Sequence, residues 1–209
     1  MNTSISLSRR AALAASVTAA ALVLAGCGGS DSTSGTDTSP GTTTSASAEA
    51  GKHNNADVAF AQGMIPHHRQ AIVMSRMATA RGASAQVKEL AAKIKKAQAP
   101  EIQTMSGWLK AWGEKVPSGM DHGRGQGDDT PSMPGMMNDQ DLDELNGVSG
   151  NPFDTMFLTM MIEHHEGAIE MAKTEKQKGA YEPAKKLADD IITAQTAEIT
   201  QMKKMLSGG

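Results

Sequence analysis

Across 209 residues there are three phenylalanines, two tryptophans, one tyrosine and a single cysteine. One cysteine, Cys27, excludes both a disulfide framework and a thiolate metal cluster. Also missing are a Ser or Cys nucleophile constellation, a phosphate-cradling glycine loop and a dinucleotide fingerprint. That removes the common enzyme classes and leaves open only a redox reaction at a bound metal. The longest apolar run, residues 11–25, is shorter than the ~20 residues that span a bilayer, so it does not read as a transmembrane anchor. Scarce aromatics also imply an unusual core, because methionine is abundant: fifteen in all, of which only Met1 lies in the leader.

What is present begins with a leader. Arg9 and Arg10 precede an alanine-rich stretch that ends in "LAGC" at Cys27, the order of a secretory signal with a lipobox. Residues 1–26 are therefore expected to be a lipoprotein signal peptide, with Cys27 lipidated and the mature protein anchored to the bacterial cell membrane on its extracytoplasmic side. "SRRAAL" also has a weak twin-arginine character, so the export route stays open. Residues 27–53, rich in Ser, Thr and Gly, form a flexible tether. Removing the leader leaves 18 basic against 23 acidic residues, a net charge of −5. An acidic chain without a basic patch argues against nucleic acid as a partner.

The remaining residues, 54–207, are long enough for one domain and are internally duplicated. Shifted by 97 positions, "MIPHHRQAIVMSRM" from Met64 falls on "MIEHHEGAIEMAKT" from Met161, and the alignment runs without a gap over 60–109 and 157–206. Repeat one covers 58–110, a Met-, Gly- and Pro-rich crossover 111–152, and repeat two 153–207. Each repeat divides into two apolar-periodic segments, around "RGAS" and "KGAYEP". Gly82 and Gly179 suit helix stops, while Ser84 and Pro183 suit the next start. A helical hairpin cannot bury its own stripe, so two hairpins are expected to pair as an all-α four-helix bundle. A short helix is expected around "DQDLDELNG", ended by Gly147. Pro66 and Pro100, which become Glu163 and Ala197 in repeat two, predict kinks in the first hairpin alone.

At about 100° per residue, with Met64 as origin, His68 lies at about 40° and His67 at about −60°, both on the buried face. Met64 stands one turn before them, and Met161 stands likewise before His164 and His165. On the second helix of each hairpin, Glu101 and Glu198 share the apolar stripe. A carboxylate there needs a partner, and accepting a histidine N–H would fix which ring nitrogen is left for a metal. The alternative is a set of buried His and Glu that merely stabilises the bundle or an interaction module and binds no metal. Core packing is the readier account of Met74, Met77, Met105, Met202 and Met205 taken singly. In the crossover, Met120, His122, Met133, Met136 and Met137 suggest either a soft-metal patch or an apolar lid over the bundle end.

Thioether and imidazole without thiolate favour copper(I) over oxygen-seeking cations, with zinc the other option through His and Glu. A di-iron carboxylate site needs Glu-x-x-His on two helices, and that pattern is absent.

"FAQGMIPHHRQAI", "SMPGMM" and "FLTMMIEHHEGAIEMA" together resemble the bacterial domain of unknown function 305. The resemblance covers roughly residues 54–207 and implies an exported, ferritin-like helical bundle, some members of which are linked to copper binding and tolerance. By that likeness the motif residues are Met64, His67, His68, Met74, Met161, His164, His165 and Met171, with Pro66 part of the first motif. No protein partner is indicated.

Overall fold

The computed structural model describes residues 51–119 and 133–208. The leader, Cys27, most of the tether, and the crossover residues Met120 and His122 lie outside the described residues. The described chain is all α: α1 (Asn55–Ala80), α2 (Ala85–Trp112), α3 (Asp139–Gly147), α4 (Asn151–Lys178) and α5 (Glu182–Leu206). Among the described residues no helix is long and apolar enough to cross a membrane.

Local signals account for the boundaries. Asn54 caps α1 in a reciprocal box, its side chain accepting from Ala56 N and Asp57 N while Asp57 accepts from Asn54 N at 2.6 Å. Ser84 caps α2, and Pro183 occupies the first turn of α5. Gly82 is left-handed at φ 66, as a helix stop requires. Gly179 departs from that expectation, with φ −67 and ψ 153. Space is short there, since a Cβ would lie 2.7 Å from the Glu175 backbone oxygen. Gly147 is the last residue of α3 rather than a stop beyond it. Pro66 and Pro100 are both contained within their helices, and neither ends one.

α1 packs on α2, α4 on α5, and α1 on α4, which leaves α2 and α5 on the flanks. The inner pair is antiparallel. At one end Asn54 Nδ2 donates to Lys178 O at 2.8 Å, and at the other Gly150 N donates to Arg81 O at 2.9 Å. Two apolar clusters fill the interior. One holds Phe60, Met64, Ile65, Met105 and Leu109 with Ala168, Ala172 and Ile191. The other holds Phe157, Met161, Ile162 and Met202 with Met74, Ala78, Leu90 and Phe153. Along α1 the change from one cluster to the other falls between Ile65 and Ala71, and along α4 between Ile162 and Ala168. Both His-His pairs lie in those gaps, so the polar layer crosses the bundle at mid-height.

Candidate metal centre

All four histidines, His67, His68, His164 and His165, are fully buried. Neighbours on a helix diverge by about 100°, and here the two members of each pair take different tasks. The second member turns toward its own hairpin: His68 Nε2 meets Glu101 Oε2 at 2.6 Å, and His165 Nε2 meets Glu198 Oε2 at 2.7 Å. The first members meet each other across α1 and α4, with the His67 and His164 ring centroids 3.8 Å apart at 40°.

Those bonds determine where the lone pairs are. A carboxylate only accepts, so Nε2 of His68 and of His165 carries a proton, and any lone pair these rings offer a metal is on Nδ1. His67 Nε2 lies 3.0 Å from the Pro134 carbonyl and must also carry its proton. His67 Nδ1, His68 Nδ1, His165 Nδ1 and both nitrogens of His164 are buried without a hydrogen-bond partner. An unpaired buried polar atom costs about 1–3 kcal/mol. Five in one layer approach the roughly 5–15 kcal/mol of net stability that a domain has. Burial holds the His67 ring well below its ordinary value, down to about 3; crowding by the imidazoles of His68 and His165, which disfavours a further positive charge, reinforces this and the Pro134 carbonyl opposes it. Burial likewise lowers His164, reinforced by the other three histidines. Both inner rings are therefore neutral at neutral pH, the form that binds metal without first losing a proton.

A strap of chain, residues 133–137, closes over this pair. Gln70 is fully buried and holds Met137 by both backbone groups, donating to its carbonyl at 2.8 Å and accepting from its N–H at 2.8 Å. The strap then lies directly on α4. Gly135 has φ 74, and a Cβ on it would sit 3.0 Å from the His164 carbonyl; one on Gly167 would sit 2.7 Å from Gly135 N and strike the Pro134 carbonyl. Arg69 holds the outgoing end of the crossover through Pro117 O at 2.7 Å and Gly119 O at 2.8 Å. Position 70 becomes 167 in repeat two, so one repeat grips the strap where the other makes room for it.

The methionines divide. Met64 and Met161 are fully buried in the two clusters, one turn before the rings, and Met74 is buried in the second. Met171 is half-buried and shares with Met133 the space above Gly63, where a Cβ would lie 2.9 Å from Met171 Cε and 3.7 Å from Met133 Sδ. Met136 is half-buried, but Met137 is 6% exposed and belongs to the core. Met133, Met136 and Met137 thus differ from an exposed patch, and the strap that carries them covers the middle of the bundle rather than its end. Gln70, Pro134, Gly135 and Gly167 escape a reading by helical phase, because Gln70 lies off the apolar stripe. A glycine inside a helix, opposite a glutamine in the other repeat, was the available signal. Among the described residues, no three His, Cys, Asp or Glu side chains converge as a preformed metal cluster.

Fold and site together define a duplicated helical bundle with a buried imidazole layer flanked by thioethers. The chain belongs to the DUF305 family, a domain of unknown function whose family model matches residues 57–206. Among solved structures it is similar to a DUF305 protein from Streptomyces coelicolor described as secreted, at 31% identity and TM-score 0.65, covering 73% of this chain and 93% of that one. It is similar also to CopM in the Cu(II)-bound form, at 35% identity and TM-score 0.60, and in the Cu(I)-bound form, at 33% and 0.59. Each CopM match covers 73% of this chain and 96% of that one. CopM with silver bound and in the apo form matches as well. Comparison with curated proteins gives no match.

Proposed function

We propose that this chain is an extracytoplasmic protein, lipid-anchored to the cell membrane through Cys27, that binds copper(I) and serves in copper buffering or tolerance. The observation that carries the reading is the set of five unpartnered imidazole nitrogens, buried between two apolar clusters beside Met64 and Met161. Since one nitrogen of a neutral His164 carries a proton, at most four of them can offer a lone pair to a cation, and thioethers bias the choice toward a soft one. Two- and three-coordinate copper(I) suits a layer in which donors arrive in pairs. Zinc fits less well, because it wants four ligands around one point and the His and Glu groups do not converge. The copper-bound forms of CopM support the same choice. His67, His68, His164 and His165, with Met64, Met74, Met161 and Met171, are the residues assigned to copper(I). Met133 and Met136 on the strap are secondary candidates.

Anaerobic titration with copper(I) against a competing chelator tests the assignment. We expect replacement of all four histidines by alanine to abolish tight binding; an affinity equal to that of the parent sinks the reading. The two short His–Glu pairs favour a second account, in which the layer only holds the bundle together. That account expects the same variant to melt several degrees lower without metal and the parent melt to ignore added silver(I).

A further inference from the structure

The crossover leaves α2, touches α1 at Arg69 and touches it again at Gln70, and the second of these side chains fixes the strap. Gln70 grips Met137 through a paired donor and acceptor, both at 2.8 Å and both out of solvent. Three residues earlier the same strap presents the Pro134 carbonyl to His67 Nε2. Between those points the chain cannot shift far, since Gly135 is already against the backbone of α4 at Glu163, His164 and Gly167. His164 has no such partner on the strap: only the backbone of His67 approaches it, as its weakest influence, and neither ring nitrogen makes a hydrogen bond.

We infer that Gln70 is a positioning residue for the metal layer: through the strap it locks His67 in the Nε2–H form, so that His67 offers a metal only Nδ1 while His164 can offer either nitrogen. The two inner histidines are then unequal despite their equivalent places in the repeats. A metal meeting this pair is held by one pre-aimed donor and one adaptable donor. Loss of the strap would free the His67 ring to turn and would weaken binding, as removing the partner that orients a ligand histidine typically lowers metal affinity by roughly 10–100-fold. The second half of the inference rests on the copper reading above; the first half does not.

The test uses the whole tethered protein and two variants. Gln70→Ala removes both bonds to Met137, whereas Gln70→Glu keeps the size and the acceptor but loses the donor. In metal-free protein, nitrogen NMR of the imidazoles is expected to show the Nε2–H tautomer for His67 in the parent and a mixture in Gln70→Ala. Gln70→Glu should fall between, and His68 and His165, held by their glutamates, should not change. With silver(I) as the probe, Gln70→Ala should bind roughly tenfold more weakly and Gln70→Glu less severely so. A parent-like His67 tautomer in Gln70→Ala overturns the positioning role whatever silver does. An altered tautomer with parent-like silver affinity overturns the link from strap to metal. If the tautomer changes and the parent itself binds no silver, positioning stands and the copper reading fails. Should Gln70→Ala not fold, Gln70→Glu decides by the same two measurements.

Discussion

The two ends of the bundle share a clasp and differ in a buried acid that stands behind it at one end alone. At one end Asp57 of α1 accepts from Ala180 N at 3.1 Å and Tyr181 N at 2.9 Å, clasping the α4–α5 turn. At the other, Asp154 of α4 accepts from Ser84 N at 3.2 Å, clasping the α1–α2 turn. Asp57 and Asp154 are 97 positions apart, as are Ser84 and Tyr181. Beside Asp57, however, stands Glu175, which is 1% exposed, where the other end has Ala78 in apolar packing. A duplicated fold keeps its clasp, then, while the space behind it is free to become apolar or ionisable. Mid-height repeats the lesson, with Gln70 and Gly167 dividing one strap between them.

Aromatic packing offers the largest contrast to break. Phe157 is fully buried and stacks on Phe153 with centroids 5.7 Å apart. Its counterpart Phe60 is 5% exposed, and Ala56 stands where Phe153 would be. Phe157→Ala should destabilise by about 3–5 kcal/mol and Phe60→Ala by less, read as midpoints of urea unfolding. Equal losses would mean that the two clusters are energetically alike.

Next in size is the pH dependence that Glu175 confers. Burial, then hydrogen bonding to Asp57 and the Asp57 charge, push its carboxyl up to about 8, while Lys185 opposes. Burial alone would raise Asp57 too, yet its bonds to Glu175 and to the backbone of Tyr181, Asn54 and Ala180 pull it below the ordinary carboxylate value. Glu175 thus holds a proton beside the Asp57 carboxylate. An acid whose folded value exceeds its unfolded one leaves the folded state with more protons, so stability falls as pH rises from about 4.5 toward 8 and then levels off. The two inner histidines act in the other direction, losing stability as pH falls below about 6.5. The difference between parent and Glu175→Gln isolates the acid: on the order of 3 kcal/mol should separate them more at pH 8 than at pH 5. Parallel melting curves across that range would show that Glu175 is ionised in the folded protein.

Much of the candidate site is readable from helical phase. Met64, His67, His68 and Glu101 fall on buried stripes by their spacing alone, and a divergence of about 100° between adjacent residues already implies that one ring faces the other hairpin while its neighbour faces its own. Which ring does which depends on how far Glu101 and Glu198 reach, and that is a matter of packing. The strap is illegible for a different reason. Its bonds join residues 67 positions apart, with no periodicity to connect Gln70 to Met137. The helices themselves follow from their caps, except at Gly179, where the conformation is ordinary and the crowding comes from Glu175, one turn earlier on the same helix.

The smallest contrast lies in the outer helices, where Gln98 and Gln195 occupy equivalent buried positions, each 3% exposed and three residues before the glutamate that meets a histidine. Both amide atoms of Gln98 are without a partner, against only the oxygen of Gln195. Unpaired amide atoms are costly, whereas an apolar side chain of similar size in the same space is not. Gln98→Leu should therefore stabilise metal-free protein by about 1 kcal/mol, and Gln195→Leu by less, because only one of its amide atoms is buried without a partner. If both substitutions destabilise equally, the amides have partners in solution and the two repeats are closer to identical than their bonding suggests. If only Gln98→Leu weakens silver(I) binding while raising the melting temperature, its amide belongs to the metal layer, and the difference between the repeats extends to their outer helices.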